Sequence, residues 1–210
     1  MKLYYARGAS SIGIHVILEE VGKPYERAEV ALMEGEQYQA PFLEISPKSK
    51  VPVLLRDDGS VLTEYGAIAR WLALTNPAAD LLPGDTEGEV RMIEAIDFCV
   101  GTIHMQGYLR AFVPQMFAPD KADYEAVRKR GLSIMKKGFA ILESALAGKD
   151  YIAGRYSIGD SAVFYVTLWG RKFDLALAPD LARHFERMLE RPAVRRALAA
   201  EGLDPAGNKV

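Results

Sequence analysis

Two adjacent hydroxyls, Ser10 and Ser11, sit between a β-prone run, Lys2 to Tyr5, and an apolar helical stretch. At a helix start a serine caps orphan backbone amides. The same hydroxyl, acting with those amides and the helix dipole, also favours an anion docked there. Tyr5, at the end of the same run, is a further hydroxyl donor. Glu64 closes the run Val61-Leu62-Thr63 and opens a helix, where a carboxylate is favourable. Val51-Pro52 begins another apolar run, a position where the missing N–H of proline costs little. His104 is a lone histidine in mid-helix, which is usually structural or solvent-facing. Asp97 precedes it by seven residues, on the same face of an α-helix. Cys99 is the single cysteine and, flanked by Phe98 and Val100, reads as a small buried hydrophobe. His15 and His184 have no carboxylate or histidine companions at ligand spacing, so no metal site is expected.

The elements that must position these groups fall into two groups. Ile14, Ile17, Leu18 and Val21 share one face of a helix from Ile12 to Val21, which Gly22-Lys23-Pro24 terminates. Tyr25 to Val30 follows as a second strand, making a βαβ unit with a parallel pair. A polar stretch, Met33 to Gln39, precedes a weak helix. Asp57-Asp58-Gly59-Ser60 then joins the strands 51–55 and 61–63 in a hairpin. A helix from Glu64 to Leu74 completes the order β-α-β-α-β-β-α. Beyond a Pro-rich linker the chain carries no convincing strand. Glu87 to Phe117 reads as a long helix bent near Gly101, Gly107 and Pro114; Tyr124 to Leu146 reads as another. Ser157-Ile158-Gly159-Asp160 starts a third with an Asp variant of the capping box, in which no hydrophobic staple is evident because Ser161 occupies its position. Leu181 to Arg191 and Ala193 to Ala200 are shorter helices. The expected division is 1–76 α/β, 77–86 linker, 87–202 all-helical and 203–210 a frayed tail.

The 210 residues are 50% hydrophobic and 26% charged, a globular balance long enough for a core without staples. Lys plus Arg number 26 against 28 Asp plus Glu, so no basic bias points to nucleic acid or an anionic membrane. The cluster Arg128-Lys129-Arg130 and the pair Lys136-Lys137 read as the solvated face of a helix. No apolar run reaches the ~18 residues of a membrane helix, and the opening goes straight into a strand without a signal-peptide core. The expected compartment is the cytosol.

Met1-Lys2-Leu3-Tyr4-Tyr5, the Gly8-Ala9-Ser10-Ser11 turn, Lys50-Val51-Pro52-Val53-Leu54, Leu62-Thr63-Glu64 and the Ser157-to-Asp160 cap, in this order, resemble the cytosolic glutathione transferases. The likeness is greatest to the bacterial beta class and spans roughly residues 1 to 200. It implies a thioredoxin-like domain that binds glutathione, a helical-bundle domain that supplies most of the electrophile pocket, and a homodimer. It also implies a cis Val51-Pro52 bond, whose use is to present the Val51 N–H and C=O to the cysteinyl main chain of the tripeptide. The resemblance assigns the γ-glutamyl group to Glu64, for its ammonium, and to the following helix amides, for its carboxylate. The next residue is often serine in relatives; here it is Tyr65, so only a backbone amide serves.

Relatives of the beta class carry a cysteine at the position of Ser10. Its replacement removes a mixed disulfide with glutathione and favours a hydroxyl-assisted thiolate, the nucleophilic form of a thiol with an ordinary pKa of ~8.5. Ser11 is the preferred donor, then Ser10, then Tyr5, which equally fits a core aromatic. A histidine near the sulfur in the relatives makes His104 a candidate to tune the thiolate, and Asp97 a candidate contact to glutathione. Lysine often follows that histidine; Met105 replaces it here. Tyr108, Phe112, Met116 and Phe117 are the candidate electrophile lining, with Tyr165 and Trp169 as weaker members. The expected activity is thiolate attack on an apolar electrophile. The competing readings are a non-catalytic carrier of glutathione or hydrophobic ligands, and a glutathione-dependent peroxide or disulfide reductase.

Overall fold

Alternation of side chains along β1 (Lys2–Tyr5) buries Leu3 and Tyr5 and leaves Lys2 and Tyr4 half-buried, as a strand with one covered face requires. In the computed structural model, which describes residues 1–208, β1 pairs in parallel with β2 (Glu26–Glu29) and antiparallel with β3 (Val53–Leu55). β3 pairs antiparallel with β4 (Val61–Thr63), giving the order β2-β1-β3-β4. β2 is an edge strand of sequence Glu-Arg-Ala-Glu, largely exposed; charge on an edge discourages pairing with another chain. The helices are α1 (Ser11–Val21), the short α2 (Ala40–Leu43) and α3 (Tyr65–Thr75), so the βαβαββα thioredoxin-like order read from the sequence is observed. Residues 11–18 of α1 are all buried, because α3, β1 and α9 (Pro192–Ala200) all pack on it.

The chain forms two compact units: Met1–Leu82 with the segment from Leu189 on, and Pro83–Met188. The sequence-based division keeps 87–202 together, whereas the packing puts α9 with the first unit. Ala193, Val194, Ala197 and Leu198 make its buried face. Arg191 pairs with Glu20 at 2.7 Å, Arg196 with Glu19 at 2.6 Å, and Arg27 donates to the Ala200 carbonyl at 2.7 Å. The expected fraying from Leu203 on is corrected for 203–208. Leu203 is buried, and Asp204 accepts from the amides of Ala206 and Asn208 at 2.9 and 2.8 Å, a side-chain-stapled turn. Lys209 and Val210 lie outside the described residues.

In the second unit α4 (Thr86–Phe98) is capped by Asp85, which accepts from the Gly88 amide at 2.9 Å. The helix does not continue as one α-helix to Phe117. From Cys99 to Tyr108 it is a π-helix, with the Leu109 N–H bonded to the His104 carbonyl five residues back. α5 (Leu109–Phe112) follows and stops ahead of Pro114. α6 (Tyr124–Leu146), α7 (Ile158–Lys172) and most of α8 (Pro179–Glu190) complete the unit. The capping box of α7 is present, the Ser157 amide donating to Asp160 Oδ2 at 2.8 Å. Among the described residues no helix is long and apolar enough to cross a membrane.

Candidate active site

Strand register decides which sequence candidates meet. Tyr4 lies opposite Val53, and Val53 opposite Thr63. The end of β1, the start of β3 and the end of β4 therefore lie at one end of the sheet. Three chain segments continue from that end: the turn to Ser10 and Ser11, the dipeptide Val51-Pro52 just outside the ladder, and Glu64 with the start of α3. The Val51-Pro52 bond is cis.

The turn after β1 is closed by the Ala9 amide on the Ala6 carbonyl at 3.0 Å, with Gly8 in the left-handed region (φ 64°) that a side chain would disfavour. Ser11 is fully buried. Its Oγ accepts from the Ala6 N–H and donates to the Ala6 carbonyl, both at 3.2 Å. Its single proton is thus engaged in holding the turn to the helix, and in this structure the hydroxyl acts as a staple. Replacing it with Ala strands a buried amide and is expected to cost about 1–3 kcal/mol of stability. Urea unfolding measures this, and an unchanged midpoint would contradict the stapling role. Ser10 has helical backbone angles (φ −58°, ψ −22°) and makes no capping bond, since a cap needs an extended residue. It retains 6% exposure where Ser11 has none. Tyr5 is buried with its ring 5.9 Å from that of His15, and burial, then the Glu29 carboxylate, raises its pKa above the ordinary phenol value. This is the environment of the core aromatic alternative.

Glu64 adopts φ 70° and ψ 128°, a positive-φ conformation rare for a side-chain-bearing residue and found preferentially at functional sites. Its carbonyl accepts the first bond of α3, from Ile68 at 3.0 Å, while its exposed carboxylate meets Lys48 Nζ at 2.6 Å. Lys48 is a residue that sequence reasoning missed. The run Ser46-Pro47-Lys48-Ser49-Lys50 before Val51 was its only signal. An exposed pair of this kind is worth about 0–1 kcal/mol, so an incoming ammonium can compete for the carboxylate. Ser49, beside Lys48, is a second positive-φ residue (φ 54°). Tyr65 is buried at the head of α3.

In the second unit, His104 is half-buried and its ring stands edge-on to Trp169, with centroids 4.7 Å apart; the rings of Tyr165 and Tyr108 lie at 5.9 and 6.2 Å. Asp97 is exposed on α4. The shared face expected from their seven-residue spacing assumed α geometry, and the π-helix from Cys99 on removes that phase. Tyr165 and Trp169 are fully buried core, whereas Phe112, Met116 and Phe117 are exposed. Tyr108 is buried, stacked on Trp169 at 3.7 Å and on Phe112 at 5.3 Å. Cys99 is buried, and that burial pushes its thiol pKa far up, as the reading of a small hydrophobe expects. Among the described residues no group of three or more His, Cys, Asp or Glu side chains is placed to hold a metal ion.

Comparison with known proteins gives this geometry a family. Residues 10–75 match the glutathione S-transferase N-terminal domain and residues 101–192 the glutathione S-transferase C-terminal domain. Glutathione S-transferase GstA of Escherichia coli is 34% identical over 97% of this chain and 100% of its own length. The chain belongs to the glutathione S-transferase family. A sphingomonad glutathione S-transferase, solved in complex with glutathione, superposes with a TM-score of 0.78 at 32% identity, covering 97% of this chain and 100% of that one. A disulfide-bond oxidoreductase of Escherichia coli is 28% identical over 93% of both chains.

Proposed function

We propose that this transferase binds glutathione at the end of the sheet where β1 and β4 end and β3 begins, and activates its sulfur at the start of α1. The strand register, which brings the end of β1, the start of β3 and the end of β4 level with one another just before Ser10, after Val51 and before Glu64, supports the reading. The cysteinyl main chain adds to the end of β3 through the Val51 backbone, as an edge strand would. The γ-glutamyl ammonium exchanges for Lys48 on Glu64, and its carboxylate lies at the positive end of α3. The thiolate sits at the positive end of α1, and the Ser10 hydroxyl donates to it. Both effects favour the ionised sulfur. The thiolate then attacks an electrophilic carbon: the S–C bond forms as the bond to the leaving group breaks, the leaving group departs with the electron pair, and the thiol proton has already passed to solvent. The electrophile lining read from the sequence, Phe112, Met116 and Phe117, is exposed apolar surface of the second unit. His104 is assigned to ring packing, and Asp97 receives no role. The working protein is proposed as a cytoplasmic homodimer.

Calorimetry with glutathione, followed by titration of thiolate absorbance in the bound state, tests this. The expected result is binding with a thiol pKa below its free value, and replacing Ser10 with Ala should raise it by about one unit, or 1.4 kcal/mol of thiolate stabilisation. Absence of binding heat, or a bound thiol that titrates as it does free, overturns the proposal. A second reading is favoured by the disulfide-bond oxidoreductase relative. Because Cys99 is the only cysteine and is buried, disulfide exchange here would run between glutathione molecules, without a protein thiol. Glutathionyl disulfides and hydroperoxides, assayed beside a chlorodinitrobenzene, separate the two readings. Glutathione binding with no turnover of any of them identifies a carrier.

A further inference from the structure

We infer that Glu201, which follows α9, is a positioning residue for the thiolate-binding turn; this rests on the glutathione reading above. Its carboxylate is fully buried, with Oε2 accepting the Gly8 N–H at 2.8 Å and Oε1 lying 2.9 Å from His15 Nδ1. Gly8 stands two residues before Ser10 and His15 five after it. One carboxylate therefore ties the turn that carries Ser10 to the helix whose N-terminus would face the sulfur.

The tautomer of His15 follows from its surroundings. Its Nε2 is buried with no hydrogen-bond partner among the described residues. Placing hydrogen there would bury an unpaired N–H and set a bare nitrogen against the carboxylate, so Nδ1 carries the proton and donates to Glu201. The Tyr5 and Tyr25 rings, at 5.9 and 5.8 Å, wall the imidazole in. Glu201 is itself held rigidly. Its amide donates to the Ala197 carbonyl at 3.1 Å and to the Leu198 carbonyl at 3.1 Å, which holds it to the end of α9.

Burying a carboxylate is expensive, and a pair of apolar residues in the same space is often as stable or more so. Global stability is thus a weak reason for an acid here. The bonds it makes instead define one geometry for the backbone on either side of Ser10. Preorganised donors lose their effect on an anion when the backbone carrying them relaxes by about an ångström.

The experiment compares wild type with Glu201→Ala, Glu201→Gln and, as a control for docking of α9 alone, Arg196→Gln. Readouts are glutathione affinity, the thiol pKa of bound glutathione, kcat and KM separately, and Tm. Glu201→Ala is expected to raise the bound thiol pKa by about one pH unit and lower kcat at neutral pH about tenfold. Glu201→Gln, which can still accept from Gly8, is expected to show a smaller but measurable rise. Arg196→Gln should lower Tm and leave the thiol titration as in wild type. If Glu201→Ala fails to fold, Glu201→Gln decides, and a wild-type titration in it overturns the inference. An equal pKa rise in Arg196→Gln overturns it too, since the effect would then be general loosening. Wild type that binds no glutathione overturns both this and the underlying reading, whereas binding with unshifted variants overturns only this one.

Discussion

Replacing Asp160 with Ala is expected to destabilise the chain more than any other single carboxylate substitution in the second unit. Asp160 is fully buried. Its Oδ1 accepts the Ile152 amide at 2.9 Å and lies 2.9 Å from His184 Nε2; its Oδ2 accepts the Ser157 amide at 2.8 Å. One side chain therefore satisfies donors from the loop before α7, from the cap of α7 and from α8. Removal leaves two buried amides and an imidazole without acceptors, and breaking a buried pair from one side costs about 3–5 kcal/mol. That is a large part of the roughly 5–15 kcal/mol that holds a typical domain. Asp160→Asn should fall between Ala and wild type. With its oxygen on the Ile152 and His184 side, its NH₂ faces the Ser157 N–H, so one donor–donor contact is created. Ser157→Ala, which removes only the cap hydroxyl, should cost about 1 kcal/mol. Urea midpoints in the order Ser157→Ala, Asp160→Asn, Asp160→Ala, falling, are the expected result. Equal midpoints for all three would mean that Asp160 acts as an ordinary cap and not as a three-way tie.

The capping box itself was legible in Ser157-Ile158-Gly159-Asp160, because both partners lie three residues apart. His184 and Ile152 were not, being brought in by packing from 24 and 8 residues away. The same division runs through the candidate site. Strands, the hairpin and the helix starts follow from local pattern, and once β1, β3 and β4 are known their register brings the strand ends next to the site's segments level with one another. The choice between neighbouring hydroxyls was beyond sequence. Ser10 and Ser11 have the same chemistry, and only the path of the Ala6–Ala9 turn shows which one donates inward. Lys48 was lost for a related reason, since a lysine in a polar loop has no periodicity to mark it. The shared face of Asp97 and His104 was read at α pitch, and nothing in Cys99 to Tyr108 announces i→i+5 bonding except its two glycines. Glu201 lay far from every motif at its site.

Those glycines lead to the second large effect. Where the π-helix and α5 meet α6, Gly131 packs so closely that an added Cβ would lie 2.6 Å from both the Ala111 amide nitrogen and the Gly107 carbonyl oxygen. Both are backbone atoms and cannot rotate away, so Gly131→Ala forces the helices apart. The expected loss is about 3 kcal/mol, at the upper end of what overpacking costs. At Gly138 the nearest atom, also at 2.6 Å, belongs to the Ile103 side chain, which can change rotamer; Gly138→Ala should cost less. Gly101 has open space around its would-be Cβ, and Gly101→Ala should be neutral or stabilising by up to about 1 kcal/mol. Trp169, stacked on Tyr108 of the π-helix, gives the local readout, since near-ultraviolet dichroism should change in Gly131→Ala and not in Gly101→Ala. If Gly131→Ala and Gly101→Ala unfold at the same urea concentration, the close backbone contact is not what sets the π-helix against α6. The aromatic stack at Trp169 would then have to hold that register by itself.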